Sequence, residues 1–358
     1  MSESAVRPSG RLRFEAAQQV LERAIVERAF PAAVIEVGTA GESLWRQAFG
    51  TLTFDASGAA ATDDTIFDLA SLTKVVATTP MVMQQVERGV LALDDPVSGH
   101  IAAWSRFDRA DVTLRDLLAH CSGLPAWRPF FRELKERAGY EAAIAAEPLE
   151  YPPRTRSVYS DLDFMLLGFI VDARLSIAER FALMLSQMGI VEEIQFTPPT
   201  LWRSRIAPTE YDAWRGRLLV GEVHDENAGA LGGIAGHAGL FGTAAAVGSY
   251  ARHLLQVLDG RSGAVRRTTL EEFIRRSDVP GSSRALGWDT MLPTSSCGSK
   301  MSSRAFGHTG FTGTSLWIDP EKNVYVVLLT NRVHPTRENN AIKQVRPAVH
   351  DAVMSELS

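Results

Sequence analysis

Ser71-Leu72-Thr73-Lys74 stands at the head of a long helix-compatible run, Val75 to Arg88. On a helix, positions i and i+3 share a face, so this spacing places a hydroxyl beside an amine. A serine hydroxyl is a poor nucleophile until a base takes its proton, and an amine kept neutral by its surroundings can do so. The plain alternative is a helix start, with Ser71 as a cap and Lys74 as a solvated charge. Such a spacing is common by chance, so its weight rests on partners further along the chain.

Two downstream triplets supply them. Tyr159-Ser160-Asp161 follows Pro152-Pro153 and directly precedes a helical pattern, so it reads as a loop. In an extended segment Tyr159 and Asp161 project the same way. A phenol beside an ammonium can be held as phenolate, act as a base and return the proton to a leaving group. Asp161 also fits as nothing more than the N-cap of the helix it opens. His308-Thr309-Gly310 reads as a segment just before a strand. Thr309 can hydrogen-bond a substrate carbonyl or carboxylate, and Gly310 lets backbone approach a ligand. The amide N–H of Phe311 and that of Ser71 can face a developing oxyanion, each such donor being worth about 3 kcal/mol in the transition state. His120-Cys121-Ser122-Gly123-Leu124-Pro125 closes a helix in a sharp turn and reads as a scaffold for the Tyr159 loop.

The bulk composition is that of an ordinary globular protein. The chain has 358 residues, 45% hydrophobic and 22% charged, with a formal charge of -5. That charge gives no pull toward nucleic acid or an anionic membrane. No run approaches about 18 apolar residues, so no membrane span is expected. The opening MSESAVRPSGRLRFEAAQQV lacks an apolar leader, which points to the cytoplasm. Cys121 and Cys297 read as two reduced thiols. Val223-His224-Asp225-Glu226-Asn227 carries an imidazole and two carboxylates, but adjacent residues on a turn rarely converge on one ion. It reads as a hydrogen-bonded loop at a cleft rim, and no metal and no cofactor is expected. Trp127, Phe130, Phe131, Trp202 and Trp214 read as packing or as the lining of an acyl pocket. Arg332 and Arg337 can meet a substrate carboxylate or pair with acidic loops.

Periodicity predicts helices over Phe14 to Arg28, Thr113 to His120, Asp161 to Arg174, Ser176 to Met188, Ala244 to Leu258, Thr268 to Arg275 and Ala341 to Met354. Strands are predicted over Ala32 to Thr39, Glu42 to Thr53, Thr314 to Ile318 and Val324 to Thr330. Strands at both chain ends with helices between them give an α+β, two-lobed fold. An antiparallel sheet from both ends is flanked by helices, and a mostly helical lobe packs beside it. The expected organisation is one unit over 10–350, with a sheet lobe from 10–70 and 260–350 and a helical lobe from 71–259. The site belongs in the cleft between the lobes.

The order S-x-x-K, Y-S-D, H-T-G resembles the serine β-lactamase and penicillin-binding-protein superfamily, above all its class C branch with the related D-alanyl carboxypeptidases, D-aminopeptidases and carboxylesterases. The His120 to Pro125 turn and GGIAGHAGLFGTA (Gly232 to Ala244) resemble further signatures of that branch, and the likeness runs over about residues 15 to 350. It implies a β-lactamase/transpeptidase-like fold. It implies that Ser71 is acylated, that Lys74 holds the proton network and that Tyr159 is the base. Asp161, His308, Thr309 and Gly310 would meet the substrate, and the Ser71 and Phe311 amides would form the oxyanion hole. Asp161 stands where the family more often has Asn, so it is open to pairing with Lys74. His308 stands where β-lactamases usually have Lys. Both departures argue against strong β-lactamase activity. The expectation is a metal-independent serine hydrolase acting on a small-molecule ester, amide or short peptide. Small esters come first, D-amino-acid or muropeptide-fragment amides second, and a non-catalytic ligand-binding role third. The oligomeric state is not legible.

Overall fold

The protein is described from a computed structural model, which covers residues 14–172 and 175–357. The opening stretch read for a leader, the first residues of the 10–350 unit and the end of the helix predicted to reach Arg174 lie outside the described residues.

The two chain ends meet in one antiparallel sheet. Its six strands run Ser43–Gly50, Ala32–Gly38, Val324–Thr330, Ser315–Asp319, Phe306–Thr309 and Asp289–Thr290 from edge to edge. Ile35 pairs with Leu328 at the centre. Every residue of Val324–Thr330 is buried, which is why this strand reads as an unbroken apolar run: helices cover both of its faces. The Glu15–Val26 and Ile342–Glu356 helices close one face around Leu21, Ile35, Val326, Val349 and Val353. The Ala244–Leu258 helix closes the other through Tyr250 and Leu254. That helix belongs with the sheet although its residues fall within 71–259.

The helical side is organised around Asp161–Val171, of which every residue after Asp161 is buried. Leu114–Leu118 packs on it and begins in a full capping box, Thr113 with Asp116. Ser176 and Glu179 build a second capping box on Ile177–Met188. A small sheet of Phe67–Asp68, Leu240–Gly242 and Ile194–Phe196 bridges the two sides. It was not legible because its strands are two or three residues long, too short for a period to show.

The run after Ser71 is not a uniform helix. Lys74–Thr78 is a π-helical turn, followed by α-helix over Thr79–Glu87. Single π-turns collect at functional sites because the extra residue re-aims a side chain. Here the widened turn begins on Lys74.

Candidate active site

Three separated segments converge on Lys74. Its side chain is fully buried. Nζ lies 3.0 Å from Ser71 Oγ, 2.7 Å from Asp161 Oδ1 and 3.1 Å from the His237 carbonyl oxygen. An ammonium has three N–H donors and no lone pair, and here each donor has an acceptor. Burial pushes the Lys74 amine down, but Asp161, joined by Tyr159, outweighs it, and the net direction is upward. Lys74 is therefore an ammonium that donates to Ser71, not the neutral amine that the spacing alone allows.

Ser71 sits at the start of the helix just after Ala70, whose φ of 46° lies in the left-handed region. A β-carbon there is strained, and such residues persist only where their surroundings hold them. Asp68 does the holding: its carboxylate accepts from the Ala70 N–H at 2.8 Å and from the His224 N–H at 2.6 Å.

The Tyr159 loop rests on the turn that follows Leu114–Leu118. The His120 carbonyl accepts from Val158 N–H at 2.9 Å, and His120 Nδ1 accepts from Ser160 N–H at 3.1 Å. Ser160 Oγ donates to the Pro125 carbonyl at 2.7 Å, and the His120 ring centre lies 4.7 Å from that of Tyr159. The ring of Tyr159 lies 4.9 Å from Lys74 Nζ. Its hydroxyl is shielded from solvent and makes no hydrogen bond of good geometry. Burial raises its proton affinity; Lys74 and Ser71 oppose that without overcoming it, and Asp161 adds to it. The resting group is a neutral phenol.

The 310–314 turn is tied to the same strand exit. Thr312 Oγ1 donates to the Asp68 carbonyl at 2.7 Å and Thr314 Oγ1 to the Leu69 carbonyl at 3.0 Å. Among the described residues, neither the Ser71 nor the Phe311 amide N–H is engaged in a backbone hydrogen bond. Gly310 is needed for packing within the turn. A Cβ on it would meet Thr314 Oγ1 at 2.1 Å and the Leu69 carbonyl at 2.6 Å, so its missing side chain admits the Thr314 hydroxyl and the Leu69 backbone. His308 and Thr309 are themselves strand residues, in Phe306–Thr309, and the expected strand follows as Ser315–Asp319. His308 is buried behind Tyr159, ring centres 5.5 Å apart. Burial, with Arg284 and Lys74, pushes its imidazole well below the ordinary range, so it stays neutral.

A cleft of about 400 Å³ opens over these groups, lined by Ser71, Tyr159, Asp161, Trp127, Phe311 and the 224–226 loop among others. His308, Thr309 and Gly310 do not line it. Phe311 is 49% exposed and Trp127 39%, which makes them the accessible aromatic walls.

This combination of fold and serine–lysine–tyrosine cluster matches a known family. The family model described as Beta-lactamase matches residues 17–350. The chain belongs to the beta-lactamase family. A Salmonella heidelberg protein named "Putative D-alanyl-D-alanine carboxypeptidase" is 31% identical over 313 residues, covering 76% of this chain and 71% of that protein. Two solved structures share the fold. EstCE1, described as a hydrolase with promiscuous acyltransferase activity, has a TM-score of 0.74 at 20% identity, covering 94% of this chain and 98% of its own. A class C beta lactamase from Rhodobacter sphaeroides has a TM-score of 0.74 at 19% identity, covering 96% and 100%. The protein is thus an enzyme, a serine hydrolase of the β-lactamase and penicillin-binding-protein superfamily.

Within this family frame, several partners were out of reach of sequence reasoning. His237, from the GGIAGHAGLFGTA stretch, folds back to place Nε2 2.8 Å from Asp225 Oδ1. His224 Nε2 lies 2.9 Å from Glu210 Oε2. Arg337 pairs with Glu210 at 2.6 Å and Glu226 at 2.8 Å, as the acidic-loop role requires, and it also lines the cleft. Arg284 stacks over Tyr159, its guanidinium carbon 5.0 Å from the ring centre. No motif marked that arginine. Cys121 and Cys297 are both free and buried. No described helix is long and apolar enough to cross a membrane.

Proposed function

We propose that the protein hydrolyses the amide bond of a small D-amino-acid peptide carrying a free carboxylate, through an acyl-enzyme on Ser71. The observation that carries this reading is Arg284. Its guanidinium stands over the Tyr159 ring and adds to the burial that depresses both His308 and His120. Among the described residues no carboxylate forms an ion pair with it. A fixed cation beside the base is the partner a substrate carboxylate needs, and Arg offers a planar fork for it. The name of the Salmonella heidelberg relative points the same way. Small-ester hydrolysis, the first expectation, becomes the second reading, supported by the fold shared with EstCE1.

The residue roles follow from proton bookkeeping. Lys74 stays an ammonium and donates to Ser71 Oγ, which leaves the Ser71 proton free to pass to Tyr159. The reactive form is the minor phenolate, stabilised by Lys74 as the charge on oxygen grows. Ser71 Oγ attacks the carbonyl carbon, and the Ser71 and Phe311 N–H groups receive the oxyanion. Tyr159 then protonates the departing amine. Repeating the sequence with water in place of Ser71 Oγ releases the acid. Asp161 acts through Lys74.

Arg284→Ala tests the substrate class. Losing a charge-assisted hydrogen bond is worth about 1.5–3 kcal/mol, so kcat/KM for a D-Ala-D-Ala-terminated peptide should fall by about ten- to a hundredfold. Turnover of p-nitrophenyl acetate should change little. Equal losses on both substrates, or wild-type enzyme that turns over esters and no such peptide, would reject the carboxylate reading.

A further inference from the structure

We infer that Arg346 is a positioning residue that orients and polarises the Gly310–Phe311 peptide, whose N–H is read above as an oxyanion donor. Arg346 comes from the closing helix, Ile342–Glu356, and is 8% exposed. Its Nη2 donates to the Gly310 carbonyl oxygen at 2.7 Å and to that of Thr314 at 2.9 Å. The Gly310 oxygen also accepts from Gly313 N–H at 3.1 Å, so both of its lone pairs are used. Gly310–Phe311 is a trans peptide. With the carbonyl anchored inward, the Phe311 N–H must point the opposite way, on the side where Phe311 lines the cleft. A second guanidinium closes the turn from its other end: Arg332 Nε donates to the Phe311 carbonyl at 2.7 Å.

The charge state makes this more than packing. Among the described residues Arg346 forms no ion pair with a carboxylate, and its Nε has no hydrogen-bond partner. An uncompensated buried cation destabilises a fold, and apolar residues would fill the space at lower cost. Burial, with repulsion from Arg332, pushes Arg346 down to about 9, which still leaves it charged at neutral pH. His350 and His308, which both feel this cation, are held neutral chiefly by burial. A cation on a carbonyl oxygen draws electron density through the amide resonance, which strengthens the N–H as a donor. The strengthened donor is the one that would meet the oxyanion.

The inference rests on the acyl-enzyme reading, and the test separates the two. Wild type, Arg346→Met, Arg346→Gln and Arg346→Lys are mixed with the p-nitrophenyl ester of an arylacrylic acid and followed by stopped-flow infrared spectroscopy, with intact mass to locate the adduct. In Arg346→Met the acyl carbonyl stretch should move to higher wavenumber, and the acylation rate constant should fall about tenfold with KM within twofold of wild type. Arg346→Lys, which keeps the charge, should acylate at least threefold faster than Arg346→Gln, which keeps only a neutral donor. That pair decides the matter if Arg346→Met does not fold. An unshifted carbonyl stretch, a loss confined to KM, or equal Lys and Gln rates would overturn the role of Arg346 while leaving the acyl-enzyme intact. No adduct on Ser71 in wild type would overturn the acyl-enzyme reading and this inference together.

Discussion

Replacing Asp161 with asparagine removes one charge and almost no volume. The amide oxygen can still accept from Lys74 at the position Oδ1 now holds, 2.7 Å from Nζ. Two unit charges at that distance attract by about 6 kcal/mol at an effective dielectric constant of about 20. Desolvation of the buried ammonium offsets most of this, and a neighbouring opposite charge typically leaves about one to three pKa units. Asp161 raises the proton affinity of Lys74 directly and of Tyr159 as a lesser contribution. Without it, the Lys74 cation acts on the phenol unneutralised and Tyr159 ionises more readily. The alkaline rise in kcat/KM should therefore move to lower pH by about one unit. At pH 7 kcat/KM should increase severalfold, short of tenfold because the phenolate becomes a weaker base. Stability should drop by roughly 1–3 kcal/mol, since an acceptor for Lys74 remains. The assay is a pH–rate profile with a chromogenic ester, paired with thermal unfolding. A profile that stays in place or moves to higher pH would refute the reasoning. Tyr159→Phe is measured alongside, because wild-type rates in that variant would make Lys74 the base.

Ser71→Ala should abolish turnover and covalent labelling by a fluorophosphonate, with an unfolding temperature close to wild type; residual turnover in purified mutant would remove Ser71 from the mechanism. Gly310→Ala places a methyl group against Thr314 Oγ1 and the Leu69 carbonyl, and should lower stability by about 1–3 kcal/mol, read by denaturant unfolding, with loss of acylation as the turn shifts. Buried His120, His308 and His350 are all depressed below their unfolded values. The unfolded chain therefore binds protons that the native state refuses below about pH 6.5. Each imidazole should cost about 1.4 kcal/mol by one pH unit below that point, offset in part by the raised carboxyl of Asp163, which takes up a proton on folding. Urea midpoints that stay level between pH 7 and pH 5.5 would contradict this.

Much of the architecture was written locally. Val324–Thr330 matched its predicted bounds because a strand buried on both faces must be apolar throughout. Thr113 and Ser176 announced their helices through side chains that bond three residues ahead. The π-turn at Lys74 escaped because the same residues suit an α-helix, and the long contact of Thr78 Oγ1 with the Gly236 carbonyl, 2.6 Å, lies 158 residues away in the chain. His308 was expected to meet substrate from the family resemblance, yet packing buries it against Tyr159.

What the amino-acid sequence determined alone was the inventory and its order: a hydroxyl and an amine one helical turn apart, a phenol on a loop, a glycine in a turn, and strands at both ends that had to find each other. Those signals act over a few residues, where backbone geometry sets the spacing. The tertiary structure alone decided the charge states and partners. Lys74 meets an aspartate 87 residues away and the carbonyl of His237, 163 residues away. Gly310 meets an arginine from the last helix, 36 residues on. Burial and proximity across such separations are products of packing, and they set which group holds a proton and which backbone carbonyl a guanidinium holds.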